Sequence, residues 1–524
     1  MTDETNSLDR RAFMTGAIGV AAGLGATALM SGEAAAQAPG PGAGGGPPPG
    51  MGMGPPAGLY RLEADVHDCE VEGKVPLDLN GAFYRTGPDP QYPMRPGNIP
   101  FDGEGHVSMF RIKNGRVDYR SRYVRNDRYL AQDKAGRILF PMYRNPAMDD
   151  PSVRGLSRST ANTHIINHKN YLLALKEDSP PSAMDLLTLE TLVPNYTFDD
   201  KLPSKTFTAH PKIDSETGNI VAFGYESTGL GSDIVSMFEI DKQGAIIWNA
   251  TVQVPYVGML HDFAVTQKYI VFYVIPMAID TAQMQKGGIH WSWDGSKPTW
   301  FGAVRRGGDG KDVRWIKGPT RSATHVMGAF NDGDKLYVDV EMSLSNPFPF
   351  MPMRDGKAWD PVSGSSHITR LSADFSNKTP ADYGIETLYP DHVGALPRQD
   401  DRYNTMPYRY GFLGCPEPHP AAGARPGACY ARFDHQTRAS TLYNAGPTTS
   451  LAECCFAPKS ATAREGEGYL LGVATRNDEN RRADLVILDA EHLADGPVAT
   501  VKLPMRAVGQ IHGWWVPEAQ LPQA

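Results

Sequence analysis

Cysteine is scarce: the 524-residue chain has five, at positions 69, 415, 429, 454 and 455. None is spaced C-x-x-C, so neither a thiolate zinc site nor a thioredoxin-type motif is supported. Cys415 and Cys429 lie 14 apart in a Pro/Gly-rich stretch. They are a disulfide candidate in an oxidising compartment; otherwise all five are free or buried thiols. Basic runs are absent too. The net charge of −8 is spread over mixed signs, with none of the Lys/Arg clustering that nucleic-acid phosphates demand. There is no G-x-S-x-G elbow, no Walker loop and no H-E-x-x-H, so hydrolase, nucleotide and zincin chemistry lack support. Long 3.6-residue periods are rare as well, which leaves few helices and assigns them to connections.

What is present begins with an address. Residues 8–16 read LDRRAFMTG, and a Gly/Ala-rich apolar run and an A-x-A site follow. Paired Arg10 and Arg11 ahead of a weakly hydrophobic run have the form of a twin-arginine export signal over residues 1–38. Three glycines and many alanines make the run a poor membrane anchor, so no stable span is expected after processing. The implied partner is the twin-arginine export machinery, and the implied location is the periplasm or beyond. Residues 39–58 are almost wholly Gly, Pro, Met and Ala, a composition that cannot bury apolar surface and reads as a linker. Residues 59–524 read as one domain.

Within that domain, short apolar runs alternate with turn residues. Examples are GRVDYRSRYVR, NYLLALKE, GNIVAFGYE, KYIVFYVIP, DKLYVDVEM, GYLLGVATR and ADLVILDA. Each has strand length and β-branched or aromatic content, bounded by Gly, Asp or Asn. Such runs over more than 450 residues fit an all-β propeller better than a sandwich, because radial repetition protects strand edges in a large β chain. Periodicity does not give the blade number.

Four of the fourteen histidines stand apart by context: His210 in FTAHPK, His261 in GMLHDF, His325 in ATHVMG and His512 in GQIHGWW. Three precede a turn and strand by similar offsets, which would set them at the inner starts of several blades. His164 and His168 form H-x-x-x-H, but ANTHIINHKNYLLAL reads as strand–turn–strand, which does not suit a helical zinc pair. DGEG at 102–105 reads as a tight turn ahead of a strand rather than a calcium loop.

Ordered matches across residues 60–515 then make the chain similar to the carotenoid cleavage oxygenase family. They run through VEGKVPLDLNGAFYRTGPDPQYP, FDGEGHVSMFRIKNGRVDYRSRYVRN, YLLALKEDSPPSAMDLLTLETL, the four His motifs, YRYGF, AECCFAP and IHGWW. The flavour is that of bacterial lignostilbene and aromatic-alkene members. The resemblance implies a seven-bladed β-propeller with a helical and loop cap over the metal face. It also implies that His210, His261, His325 and His512 are ligands to one Fe(2+) per subunit. Imidazole nitrogen suits Fe(II), and four neutral ligands leave two octahedral positions open.

In the family three Glu carboxylates hold the ligands' other ring N–H groups. Glu177 in LLALKEDSP and Glu453 in LAECCFAP match two of them. The third falls in E-F-P-R, which here reads ALPR, so Ala395 stands where Glu is expected and only two carboxylates are expected. The implied reaction is oxidative cleavage of a conjugated C=C bond by O2 into two carbonyl products. The substrate would be a stilbene or phenylpropene, or an apocarotenoid. Two other readings share the residues: a propeller that binds metal or ligand without oxygenation, and an isomerase or hydrolase of the same fold. Family members that cut hydroxystilbenes bind the phenol with a Tyr and a Lys, for which Tyr92, Arg128 and Lys134 are the candidates. Aromatic and Met residues in NPFPFMPM (346–353) are either substrate-lining or ordinary loop packing.

Overall fold

The computed structural model describes residues 61–376 and 382–523. The expected signal and linker, 1–38 and 39–58, fall outside the described residues. Seven antiparallel sheets of four or five strands follow one another around the chain, joined by a small two-stranded sheet, Met277–Ile279 with Trp291–Trp293. This is the expected seven-bladed propeller. Every apolar run singled out above is a strand, including Arg116–Tyr123, Ile220–Gly224, Tyr269–Val274 and Arg482–Asp489. Helices are short and lie in connections, the longest being Asp127–Ala135. Among the described residues no helix is long and apolar enough to cross a membrane.

Strand sequences follow their place in a blade. Tyr269–Val274 (YIVFYV) is buried at every position because neighbouring blades cover both its faces. Arg116–Tyr123 (RVDYRSRY) lies further out and alternates, with Val117, Tyr119, Ser121 and Tyr123 buried and the arginines turned outward. The ring closes twice. The C-terminal strand His512–Pro517 becomes the innermost strand of the first blade beside Gly81–Asp89, and the N-terminal strand Glu70–Gly73 becomes the outermost strand of the last blade. Closure by both chain ends ties Arg85 into the centre, where its guanidinium donates to the carbonyls of Glu453, Gln510 and Ile511.

All five cysteines are buried free thiols. Cys415 and Cys429, although their stretch reads as a loop, lie on adjacent strands directly opposite each other. His164–His168 is a strand followed by a turn, as its sequence reads.

Candidate metal centre

The innermost strands of the blades run to the propeller axis, and four of them deliver a histidine there. His210 precedes Lys212–Ile213, His261 precedes Phe263–Val265, His325 lies within Ser322–Asp332, and His512 opens the last strand. One ligand-type atom from each lies within 4.8 Å of all the others. His261 Nε2 is 3.2 Å from His210 Nε2 and 2.9 Å from His325 Nε2. His210, His325 and His512 are buried, and His261 is the most accessible of the four, its side chain 11% exposed.

Three of these rings are held from behind by carboxylates. His261 Nδ1 meets Glu177 Oε1, His325 Nδ1 meets Glu341 Oε2 at 2.8 Å, and His512 Nδ1 meets Glu453 Oε1 at 2.9 Å. Glu453 Oε2 also accepts from the Gly513 N–H at 2.8 Å. Burial pushes Glu177 up, but the charge and hydrogen bond of His261, then Lys176 and Tyr225, outweigh it and leave its pKa at about 2. Burial, and then the neighbouring imidazoles, hold His210 and His512 well below the usual histidine range.

These partners decide what the centre can hold. A carboxylate that accepts from Nδ1–H leaves the lone pair on Nε2. Three such lone pairs then converge with that of His210, and His512 Nε2 is buried without a hydrogen-bond partner among the described residues. Nitrogens as close as those of His261, His210 and His325 repel if all carry lone pairs, and a metal ion between them accepts all of these lone pairs at once, where a proton serves only one pair. The residues therefore fit a metal ion, and an all-imidazole set suits iron.

One expectation is corrected here. Ala395 does replace the glutamate of the family motif, yet the second carboxylate is present, supplied by Glu341 on the adjacent strand Lys335–Ser343. The altered segment helps to hold it, since the Leu396 N–H donates to Glu341 Oε2 at 3.1 Å. The centre has three carboxylates, not two. Two of the residues of the centre, His325 and Glu453, lie inside interruptions in strand pairing, and a third interruption holds the Ala395 segment. The register shifts between Ala323 and Val326, between Ala395 and Arg398, and between Leu451 and Cys454. Each shift lies where the strand reaches the axis, and a bulge re-aims the side chain it contains.

The substrate-side expectations are also corrected. Tyr92 is half-buried under the Arg61 guanidinium, and Lys134 is exposed on the helix Asp127–Ala135. Arg128 is taken up by Glu104 at 2.9 Å and by the Asp102 carbonyl. None of the three joins the centre. Lys176 and Tyr143 lie beside it instead. Lys176 directly precedes Glu177, is 4% exposed, and sets its ammonium 5.5 Å from the Phe101 ring and 5.2 Å from the Tyr143 ring. Neither the Lys176 ammonium nor the Tyr143 hydroxyl has a hydrogen-bond partner among the described residues. Phe348 and Phe350, from the NPFPFMPM loop, meet Phe101 edge-on at 6.1 and 5.0 Å. Phe101 also packs on the Ala395, Leu396 and Ile511 cluster beside His512. One ring thus spans from the metal side to the lysine. The sequence signal for Lys176 is its place beside Glu177: neighbours in extended chain face opposite ways.

A seven-bladed propeller with four axial imidazoles, three of them backed by carboxylates, is the architecture of a non-heme metal oxygenase. Comparison with known proteins agrees. Residues 60–517 match the retinal pigment epithelial membrane protein (RPE65) family, and the chain belongs to that family of carotenoid cleavage oxygenases, which is iron-dependent. It is 40% identical over 476 residues to lignostilbene-alpha,beta-dioxygenase isozyme III of Sphingomonas paucimobilis, covering 88% of this chain and 96% of that one. It is 37% identical over 463 residues to isoeugenol monooxygenase of Pseudomonas nitroreducens, covering 87% and 96%. The crystal structure of Pseudomonas brassicacearum lignostilbene dioxygenase superposes with a TM-score of 0.83 at 40% identity, covering 87% and 96%.

Proposed function

We propose that this chain uses one ferrous iron, held by His210, His261, His325 and His512, to cleave the C=C bond of a phenol-bearing conjugated alkene with O2. The products are two carbonyl fragments. The observation that carries the substrate class is the buried Lys176 ammonium beside the Tyr143 hydroxyl, neither with a hydrogen-bond partner among the described residues, in an aromatic wall that reaches the metal side. Lignostilbene and isoeugenol, the compounds in the relatives' names, are both phenols with a conjugated alkene.

Burial, and then the charge of Glu177, hold the Tyr143 hydroxyl well above the usual range, so it stays a neutral O–H donor. Burial likewise lowers the Lys176 pKa, with Asp178 and Glu177 opposing. A lone ammonium in this wall is disfavoured, and a phenolate beside it cancels the charge. Lys176 and Tyr143 thereby fix the phenol oxygen and favour its ionised form, which releases electron density into the conjugated alkene. Phe101, Phe348 and Phe350 stack against the flat substrate and keep water out. Glu177, Glu341 and Glu453 fix the ligand rings by accepting their Nδ1–H groups. When bound, the iron supplies activation of O2.

The feature that favours a propeller without oxygenation is the alanine at 395, and Glu341 removes its force. The test is turnover of a hydroxystilbene and of isoeugenol under ¹⁸O₂, with products reduced at once by borohydride. Two carbonyl-derived fragments, with label from O2, are expected. An isomer, or fragments with no label, would end the proposal.

We also propose export by the twin-arginine route, on the strength of Arg10, Arg11 and the weakly hydrophobic run after them. Changing both arginines to lysine should retain the protein in the cytoplasm, and continued export would refute it.

A further inference from the structure

Behind the lysine wall lies a buried polar chain that the proposed reaction does not use. Tyr225 Oη donates to Glu177 Oε2 at 2.6 Å and accepts from Arg144 Nη1 at 2.6 Å. Arg144 Nη2 pairs with Glu226 Oε2, and His290 Nε2 lies 3.1 Å from Glu226 Oε1. The Gly231 N–H donates to Glu226 Oε1 at 2.6 Å. Arg144 is 4% exposed and Glu226 2%. The guanidinium also lies against two adjacent rings, 5.0 Å from that of Tyr225 and 5.2 Å from that of Trp291.

Two features separate this chain from an ordinary buried ion pair. The first is the backbone: Arg144 (φ 48°) and Glu226 (φ 50°) are both in the left-handed region, which neither residue favours. Such strain persists where surrounding contacts over-determine it, and it gathers at functional sites. The second is the order of residues along the chain. Tyr143-Arg144 and Lys176-Glu177 are two dipeptides set side by side. Tyr143 and Lys176 face each other on the cavity side. Arg144 and Glu177 face each other through Tyr225 on the metal side, their charged atoms 4.0 Å apart. Moving Arg144 therefore moves Tyr143, and losing its grip on Tyr225 frees one oxygen of the carboxylate that aims His261.

We infer that Arg144 is a positioning residue for both halves of the site, orienting Glu177 and His261 through the Tyr225 hydroxyl and holding Tyr143 against Lys176 through the backbone. The cavity half rests on the proposed reading of Lys176 and Tyr143 as a phenol site; the metal half stands on the hydrogen bonds alone.

Cobalt-loaded protein tests it without turnover. Cobalt(II) absorption reports ligand geometry, and its decay in excess chelator gives the rate of metal loss. An inert phenol, 4-hydroxybibenzyl, reports the cavity by its binding constant. Tyr225→Phe removes only the linking hydroxyl. It should alter the cobalt spectrum and speed metal loss about 5- to 10-fold, somewhat less than the loss of a direct carboxylate partner, with phenol binding within about twofold of the parent. Arg144→Gln should speed metal loss comparably and also weaken phenol binding about fivefold, at the low end for a displaced hydrogen-bonding wall. Parent-like spectra and release rates in Tyr225→Phe overturn the metal half, and that variant decides alone should Arg144→Gln not fold. Unchanged phenol binding in Arg144→Gln overturns the cavity half. Because metal release is read with no substrate, the metal half stands or falls even in a chain that fails to cleave alkenes.

Discussion

The outer strands of the blades and the innermost ones obey different rules. Ile246–Gln253, outermost in its blade, alternates between covered and exposed positions, and its pairing with Ile234–Ile240 shifts register only at one end. Ser322–Asp332, Ala395–Gln399 and Thr449–Pro458, innermost in theirs, each break register where they approach the axis. Alternation makes a blade, and in these three strands the departure from it lies at the site. His325, which lies inside its strand, is turned to the axis by such a bulge, whereas His210, His261 and His512 reach the axis from the starts of strands that pair regularly.

The sharpest way to break that contrast is at the axis itself. His261→Ala removes the ring whose Nε2 lies 3.2 Å from that of His210 and 2.9 Å from that of His325. It should abolish retention of iron through purification and all alkene cleavage with it; near-stoichiometric iron in this variant would sink the ligand assignment. One step out, Glu341→Gln keeps the shape of the side chain but loses the carboxylate that accepts from His325. Iron affinity should fall about 10- to 100-fold, the usual cost of a lost carboxylate behind a histidine ligand. Ala395→Glu should not restore what Glu341→Gln loses. Position 395 is 8% exposed among Phe101, Leu396 and Ile511, so an added carboxylate has to be buried against apolar neighbours. A double variant that regains parent-like iron affinity would show that the second carboxylate has no fixed position in this fold.

The same contrast accounts for what can be read from the residues. Runs such as KYIVFYVIP and GYLLGVATR follow strand periodicity, so the propeller is legible from them. The four histidines and Glu177 and Glu453 keep family motifs around them and are legible through that resemblance. Glu341 is not, since VDVEMS reads as plain strand and only the bulge at His325 brings the two together. Lys176 and Tyr143 are 33 positions apart by number and meet only because the loop before the second blade folds over its inner edge. Sequence neighbourhood favours Tyr92, Arg128 and Lys134, but Glu104 claims the one basic group among them that is buried.

The cavity side lies between the two regimes, built from loops and strand ends, and Lys176→Met measures how much it decides. Methionine retains most of the stem's volume, so packing against Phe101 and Tyr143 survives while the charge is lost. The kcat/KM for a hydroxystilbene should drop about 10- to 100-fold, a loss in the range for a buried hydrogen bond to a charged group. For the corresponding methoxystilbene, which cannot ionise to a phenolate that accepts from the ammonium, it should change less than about threefold. Equal losses on the two substrates would mean that the lysine serves the metal or the fold, not the phenol.

The smallest effect tests the other side of the contrast. Ile247 is 54% exposed on the outermost strand Ile246–Gln253, where alternation already turns it to solvent. Ile247→Thr keeps the β-branch, removes no core contact and leaves every axial bond untouched. Stability should stay within about 0.5 kcal/mol and both iron content and kcat within error, as for surface changes away from special features. A measurable loss of iron in this variant would mean that outer strands transmit to the axis. The register shifts, rather than isolating the site from the regular sheet, would then be coupled to it, because a strand that slips by one residue exchanges its two faces along its whole length.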